Sequence, residues 1–423
     1  MDRNIIACIL LIALAALPVP ARARESLSLV VTANLEGRAS LGMEEEENDF
    51  LLKLGQSLIH EKGRGRAELY LDLGNAFYPG ALSRFSFGSV MMDFFGFFDC
   101  AATLISSQDM RIGVNNLDFV KHNRKTRLLS ANIVRRDTPV FLPYFIHGKG
   151  DARIAFVGLS SKKILVDIAE KNIFRFELAD HAASLKKTAE LAKNEGARHI
   201  VVLSGLSTKD NIGILKEFPG IDLVVAGGDN SGGMYGSGLN RIDLERGRSI
   251  VLLPDKNAYY TLQLDIGERI SVAGFQRNDI AARRTADPRY RGFADRFALW
   301  KKEYAQEGVK VIGSAGKGEY AIDNARTANL LRDRYNAEVA ILGSGTMRGE
   351  TLKGDIRQYD INDLCNDEYP VFIYFLKGSQ LQSLAASPGD LIFSGLSGGM
   401  IQGYAVNPAR SYRIVSTQSV YDQ

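Results

Sequence analysis

The sequence predicts a layered α/β fold, and two features carry this prediction: the alternation of its segments and the turns that end its strands. Short runs rich in β-branched residues alternate with helical patterns through the first half of the chain. The strand candidates are residues 27–31, 69–73, 154–157, 200–203 and 223–225. A helix is expected between two of them, because Leu185, Ala189 and Ala192 recur on one helical face.

Short polar or glycine-rich turns follow these strand candidates. They comprise residues 32–37, 74–75, 204–205 and 226–230. In open α/β sheets, ligands bind at the carboxyl ends of the strands. We therefore expect a functional site of this domain to be built from these turns.

The first 23 residues have the plan of a secretory signal peptide. One basic residue precedes an apolar run over residues 5–17, and Pro18 and Pro20 break that run before Ala21-Arg22-Ala23. The run is shorter than the about 20 residues that span a bilayer. A lipid-modified cysteine follows the apolar region, whereas Cys8 lies inside it, so lipidation of Cys8 is not expected. The sequence thus predicts a periplasmic or secreted protein with no membrane span after cleavage.

Composition indicates a globular protein with a full core. The chain has 423 residues and a hydrophobic fraction of 45%, and its length predicts two or three domains. Its net charge of +3 is close to neutral for this length, so no nucleic-acid partner is expected. After cleavage only Cys100 and Cys365 remain of three cysteines. An oxidising compartment allows one disulfide, which their spacing does not itself predict.

A charged, arginine-rich stretch over residues 283–307 predicts an amphipathic connector helix, since Phe293, Phe297 and Trp300 recur at helical spacing. From Val309 the pattern restarts with a strand, a helix over 326–335, a strand over 339–342 and a glycine-rich loop. The predicted domains are therefore 24–280 and 309–423, joined by a linker helix over 281–308.

The order and spacing of these turns resemble the 5'-nucleotidase family, which joins a calcineurin-like metallophosphoesterase domain to a nucleotide-recognition domain. The matching stretches are 71–74 with Gly80, 129–133, 153–159, 219–222, 337–348 and 353–356. The resemblance implies a four-layer αββα metallophosphoesterase-like sandwich with a second, smaller α/β domain joined by a linker helix. It also implies a pair of divalent metals, about 3.5–4 Å apart, that activates water for phosphoester hydrolysis.

The positions of the family's metal ligands hold other residues here. Asn34 and Glu36 stand for its opening Asp-x-His, and Asn75 stands for the aspartate that bridges both metals. Ile105 and Ser106 replace an asparagine ligand and the phosphate-facing histidine. The remaining substitutions are Gly205 for a histidine, and Gly228 and Asn230 for the two histidines of Gly-His-x-His.

These substitutions predict the loss of the two-metal centre. One position would be lined by Asn75, Ile105, Gly205 and Gly228, which offer a single amide. The other would be lined by Asn34, Glu36, Asn75 and Asn230, a low-charge oxygen set that suits at most a weakly bound single calcium ion. In the alternative interpretation, these amides hydrogen-bond one another.

No replacement catalyst is evident in the sequence. The histidines, none of which matches a family ligand, are His60, His122, His147, His181 and His199. Ser106 has no histidine base near it in sequence, so no catalytic residue is assigned.

The nucleotide-recognition motifs that the resemblance implies for the second domain are also only partly matched. The first base-stacking aromatic would fall near Asn366 and Asp367, with Tyr369 close by, and the second would follow Thr417 beyond the end of the sequence. Gly343 stands for an asparagine that opens the glycine loop. Arg348 matches a substrate-binding arginine.

The leading hypothesis is an exported, catalytically inactive 5'-nucleotidase-like protein that serves as a binding or accessory module. Its ligand would be a small anion near Arg348 and Glu36, or another exported protein. The alternative is a nucleotide or phosphomonoester hydrolase that uses a one-metal site. A third hypothesis is redox or cofactor chemistry at Cys100, and the competing interpretation is an unreactive cysteine buried in a strand.

Overall fold

The computed structural model describes residues 25–38, 49–113, 115–117, 120, 125–165, 176–229, 241–244, 247–253, 255–308, 310–343, 346–347, 350–358, 360–361, 371–386, 391–417 and 420. The predicted signal peptide, residues 1–23, lies outside these ranges. Among the described residues, no helix combines the length and the apolar character needed to cross a membrane.

The first of two six-stranded sheets has the order β15-β14-β1-β2-β3-β4. Strands β1 to β4 are parallel to one another, β14 pairs antiparallel with β1, and β15 pairs antiparallel with β14 at the edge of the sheet. The bounds are β1 Glu25–Thr32, β2 Leu69–Asp72, β3 Cys100–Leu104, β4 Arg127–Leu129, β14 Ala258–Ile266 and β15 Ile270–Asp279.

The second six-stranded sheet has the order β12-β13-β11-β10-β8-β7, with a parallel centre and antiparallel edges. Its bounds are β7 Tyr144–His147, β8 Ile154–Leu159, β10 His199–Ser204, β11 Leu223–Ala226, β12 Arg241–Asp243 and β13 Ser249–Leu252. A separate three-stranded sheet is formed by β5 Ile133–Arg135, β6 Thr138–Pro139 and β9 Glu177–Leu178.

The two sheets face each other across one apolar core. Leu29 and Leu71 of the first sheet belong to the same buried cluster as Val201, Leu203 and Val225 of the second. Alternate residues of the same strands point outward, and Val30 belongs to a different cluster with the outer helices. Strands buried on both faces read as continuous apolar runs, which is why the sequence predicts them.

Helices cover the outer face of each sheet. They are α1 Phe50–Gly63, α2 Ala81–Phe85 and α3 Ser89–Phe97 on the first sheet, and α4 His181–Asn194 and α5 Thr208–Glu217 on the second. Asp49, Asp180 and Ser207 cap α1, α4 and α5 by accepting backbone N–H groups. The predicted four-layer αββα sandwich is confirmed.

The connector helix, α6 Pro288–Gly308, begins later than the predicted 281. The preceding segment is tied to α1 in a non-helical path, because Ala281 N donates to Ser57 Oγ at 3.3 Å and Arg283 N donates to Gln56 Oε1 at 2.7 Å. Proline is well suited to the first turn of a helix, where its missing N–H costs nothing.

The predicted aromatic face of α6 packs on α3. Phe293 and Phe297 are buried, and Phe293 lies edge-on to Phe94 with ring centroids 5.3 Å apart. Trp300 donates its indole N–H to Asp93 Oδ2 at 2.8 Å.

The second, smaller α/β region contains a four-stranded sheet of order β19-β24-β17-β20. Helices α7 Asn324–Arg334 and α8 Gly378–Ala386 pack on its two faces. The strands of this region are β16 Val311–Ile322, β17 Val339–Gly343, β18 Glu350–Arg357, β19 Val371–Lys377, β20 Leu391–Ser394, β21 Leu396–Ser397, β22 Met400–Ile401, β23 Tyr404–Ala405 and β24 Ser411–Thr417. The exact domain boundaries stay a prediction.

Candidate functional site

The turns marked in the sequence meet at one edge of the sandwich. Asn34, Asn75 and Ser106 follow β1, β2 and β3 of the first sheet, and Gly205 and Gly228 follow β10 and β11 of the second. Backbone bonds hold the turns in register, for example Asn34 N to Gly74 O at 2.9 Å. We call this group of turns the carboxyl edge.

Asn75 lies at the centre of the carboxyl edge and turns its NH₂ group inward. Its Oδ1 accepts the backbone N–H of Gln108 at 3.0 Å, which determines the orientation of the amide. Its Nδ2 then donates to Asn34 Oδ1 at 3.0 Å and to Asp229 Oδ1 at 3.3 Å. The amides of Asn34 and Asn75 therefore hydrogen-bond each other, as the alternative interpretation of the sequence expects.

Ser106 and Ile105 are buried, and neither presents a reactive group to solvent. The hydroxyl of Ser106 donates to Leu73 O at 3.3 Å, and Ile105 belongs to the apolar cluster under the outer helices. The Ser106 hydroxyl bonds a backbone carbonyl and no base, so Ser106 itself is not an activated nucleophile.

Gly228 brings the second sheet directly onto the first. Its φ is +58°, and a Cβ there would lie 2.4 Å from both Leu73 O and Ser106 Oγ. At Gly205 a Cβ would meet Ser106 Oγ at 3.6 Å. Ser106 and the backbone thus fill the space between the sheets at this edge, and no side chain fits at 228 without a shift.

Glu36 is half-buried and is held by a lysine. Its Oε2 lies 3.0 Å from Lys256 Nζ, and its Oε1 lies 3.3 Å from the same atom. The carboxylate therefore forms an ion pair with the loop before β14. The other two predicted site residues, Asn230 and Arg348, lie outside the described residues.

Asp109, which lies just after β3, accepts backbone hydrogen bonds from two turns of the carboxyl edge. Its Oδ1 accepts the backbone N–H groups of Ala76 and Phe77 at 2.7 and 3.0 Å. Its Oδ2 accepts those of Asn75 and Ser106 at 2.8 and 2.9 Å. Burial raises the pKa of Asp109 to about 7, while these N–H bonds favour its charged form.

Asp229 is a site residue that sequence reasoning misses. Its Oδ2 accepts Ser107 N at 3.0 Å, and its Oδ1 accepts Ser107 Oγ at 2.5 Å, while its backbone O accepts Lys163 Nζ at 2.8 Å. Burial raises the pKa of Asp229, and the bonds from Ser107 oppose this shift. One sequence signal could have identified Asp229: it is a carboxylate that follows a buried strand and two glycines. It occupies the variable position x of the family's Gly-His-x-His motif.

A third buried carboxylate, Asp72, is the last residue of β2. It accepts hydroxyl protons from Thr32 and Thr103, both at 2.7 Å, and the backbone N–H of Gly74 at 2.9 Å. Burial raises the pKa of Asp72 to about 6. Two of its donors are hydroxyls that rotate, which distinguishes it from Asp109.

Two of the described histidines, His147 and His199, lie at the edge opposite to the carboxyl edge. His147 ends β7 and His199 begins β10, and both pair with Ile154 at the start of β8, at the opposite edge. Burial lowers the pKa of both imidazoles. His60 lies in α1 and His181 begins α4, and His122 falls outside the described residues.

Cys100 begins β3 and is a free, buried thiol. Its Sγ donates to Ala102 O at 3.3 Å, and burial raises its pKa well above the ordinary value. The thiolate is the reactive form of a cysteine, and burial disfavours it here. Cys100 is therefore better explained as an unreactive buried cysteine than as a redox centre. Cys365 lies outside the described residues.

We expect Cys100 to resist alkylation in the folded protein. Iodoacetamide followed by peptide mass spectrometry should label it at least about 100-fold more slowly than in the denatured chain, because labelling requires local unfolding. The denatured chain is the matched control. Fast labelling of Cys100 in the folded protein would support the redox hypothesis instead.

No protein-family model matches the sequence, and a search of curated proteins found no significant match. Solved structures do match. The 5'-nucleotidase precursor from Thermus thermophilus is 15% identical over 94% of this chain and 90% of that chain, with a TM-score of 0.68. The NAD nucleotidase NadN from Haemophilus influenzae is 16% identical over 93% and 89%, with a TM-score of 0.62.

The fold is that of the 5'-nucleotidases. The same fold carries a different named activity in the sulfate thiohydrolase SoxB, also from Thermus thermophilus, solved in complex with glycerol. SoxB is 16% identical over 92% of this chain and 88% of that chain, with a TM-score of 0.66. A 5'-nucleotidase fold therefore does not fix the reaction, which has to be argued from the residues of the site.

The described residues do not fit the pair of divalent metals that the 5'-nucleotidase fold implies. Asn75 points its NH₂ group toward Asn34 and Asp229 at the middle of the carboxyl edge. An amide nitrogen that carries two hydrogens has no lone pair with which to bind a cation. Across the described part of the chain, no three His, Cys, Asp or Glu side chains are grouped so as to hold a metal ion. The carboxylate of Asp229 is already engaged by Ser107.

Proposed function

We propose that this chain is an exported, degenerate 5'-nucleotidase that has lost phosphoester hydrolysis and serves as a binding or accessory module. The orientation of Asn75 is the observation that carries the proposal. With its oxygen taken by Gln108 N at 3.0 Å, it offers hydrogen-bond donors where a metal-bridging carboxylate is required.

Hydrolysis of a phosphoester also requires positive charge where the transition state becomes negative. Lys163 and Lys256 border the described part of the carboxyl edge, and both have partners. Lys163 donates to the carbonyl of Asp229 at 2.8 Å, and Lys256 pairs with Glu36 at 3.0 Å. The described residues therefore support neither metal-ion catalysis nor a lysine-based substitute for it.

The proposed ligand is a small anion near Arg348 and Glu36, or another exported protein, and no nucleic acid. Export to the periplasm or the medium is proposed from the plan of residues 1–23. No cofactor is proposed beyond at most one weakly bound calcium ion. Of the residues in the one-metal alternative, Asn34 and Asn75 bond each other and Glu36 bonds Lys256, which argues against an open oxygen cage.

We expect the purified mature protein to release no phosphate from AMP, UDP-glucose or a generic phosphomonoester. The assay is run with manganese, zinc or calcium in turn and read as inorganic phosphate over hours. The wild type should match an Asn75→Ala variant, because neither offers an anionic bridging ligand.

An active member of the 5'-nucleotidases serves as the positive control. Metal-dependent release by the wild type that is lost in Glu36→Ala would replace the proposal with the one-metal hydrolase.

A further inference from the structure

We infer that Asp229, Ser107 and Asn75 form a hydrogen-bonded clamp that joins the two sheets at the carboxyl edge without a metal. The inference extends the proposed function, because an edge that has lost its cations needs another cross-link between the sheets. We call these three residues the edge clamp.

The edge clamp connects strand ends that belong to different sheets. Asp229 follows β11 of the second sheet, whereas Asn75 and Ser107 follow β2 and β3 of the first. The Asp229 carboxylate accepts three hydrogen bonds across this boundary: from Ser107 N at 3.0 Å, Ser107 Oγ at 2.5 Å and Asn75 Nδ2 at 3.3 Å. One side chain is thus bonded to two strand ends of the opposite sheet.

Burial makes these bonds obligatory. Asp229 and Ser107 have exposed fractions of 6% and 1%. A buried carboxylate without donors is strongly unfavourable, and a buried N–H or hydroxyl without an acceptor is also unfavourable. Asp229 and Ser107 satisfy each other, so opening the edge would leave both without partners until water enters.

The backbone around the edge clamp allows this close approach. Gly228, with φ of +58°, has no Cβ to hold the second sheet away from Leu73 O. Ser106 fills the remaining gap from the first sheet. The two small residues therefore let the chain bring Asp229 within hydrogen-bonding distance of Ser107.

A second polar cross-link lies beside the edge clamp and follows the same pattern. Ser160, after β8 of the second sheet, donates its hydroxyl to Ile105 O of the first sheet at 2.6 Å. Asn132, which follows β4, exchanges two bonds with the Ser160 backbone at 2.8 and 2.9 Å. Neutral groups and one carboxylate thus span the edge at two places.

The test measures amide hydrogen exchange in residues 105–109 and the unfolding temperature of the mature protein, with and without EDTA. EDTA should change neither quantity in the wild type, because no cation takes part in the clamp. Asp229→Ala should raise exchange at residues 105–109 at least about tenfold and lower the unfolding temperature by several degrees.

Asp222→Ala is the matched control. Asp222 is equally buried, precedes the same strand β11, and accepts bonds from Arg269 Nη1 at 3.0 Å and Ile270 N at 3.2 Å, at the opposite edge. It should leave exchange at residues 105–109 unchanged. If Asp229→Ala does not fold, Ser107→Ala removes only the 2.5 Å bond and should raise the same exchange by a smaller factor.

Two results would overturn the clamp: exchange in the Asp229 and Ser107 variants equal to that of the wild type, or exchange in the wild type that rises with EDTA and is restored by a divalent metal. Phosphate release is a separate measurement. Suppose that the wild type releases phosphate, but exchange at residues 105–109 rises only in the edge-clamp variants. That result would contradict the proposed function and support the edge clamp.

Discussion

Replacing Asp109 by asparagine is expected to lower the free energy of unfolding by about 3 kcal/mol. The carboxylate accepts four backbone N–H groups, at 2.7, 2.8, 2.9 and 3.0 Å, from three consecutive residues and from Ser106. An asparagine keeps one oxygen and places an NH₂ group against two fixed donors. Two buried N–H groups then lose their acceptor, and the turn after β2 loses its anchor.

Asp72→Asn is the matched control for this prediction. Asp72 is as deeply buried and ends the strand before the same turn, but two of its three donors are the hydroxyls of Thr32 and Thr103. A hydroxyl can rotate and accept a hydrogen from the new NH₂ group. We therefore expect a loss of about 1 kcal/mol.

The two variants are compared by chemical denaturation, following tryptophan fluorescence and circular dichroism. The single Trp300 lies on α6 against α3, so it reports the first domain. Equal losses in the two variants would mean that the fixed N–H donors around Asp109 are not the source of its effect.

Gly228→Ala is expected to lower the free energy of unfolding by about 3 kcal/mol, from two separable causes. The first is backbone conformation, since φ of +58° is unfavourable for alanine. The second is space, because the new Cβ would stand 2.4 Å from the carbonyl oxygen of Leu73. A backbone oxygen cannot rotate away, so the sheets have to separate.

Gly65→Ala isolates the first cause. Gly65 has φ of +69°, and a Cβ there would meet nothing within 4 Å. Its alanine variant should lose only the conformational part, about 1 kcal/mol. If Gly228→Ala costs no more than Gly65→Ala, the carboxyl edge has room for a side chain, and the claim that Gly228 is needed for the close approach of the two sheets fails.

Much of the fold can be read from the sequence. The five predicted strands correspond to β1, β2, β8, β10 and β11, and their apolar runs are long because both faces are buried. The predicted start of α6 is 281 rather than Pro288, because charge and periodicity do not show that Ala281 and Arg283 are bonded to α1.

The site can be read in part. The adjacency of Asn34 and Asn75 follows from neighbouring parallel strands, and the structure places Asn75 Nδ2 3.0 Å from Asn34 Oδ1. The role of Asp229 cannot be read, because its partners Asn75 and Ser107 are more than a hundred residues away in sequence. Asn230 and Arg348 keep their predicted roles as predictions.

The layered α/β plan and the edge at which its strands end come from the residues alone, because periodicity and residue chemistry are local properties. The proposed loss of charged ligands at that edge comes from the resemblance to the 5'-nucleotidases. The tertiary structure decided which hydrogen bonds the side chains at that edge form. An amide, a serine and an aspartate become a clamp only when two sheets face each other and Gly228 lets them close, since hydrogen bonds depend on distances that no local pattern specifies.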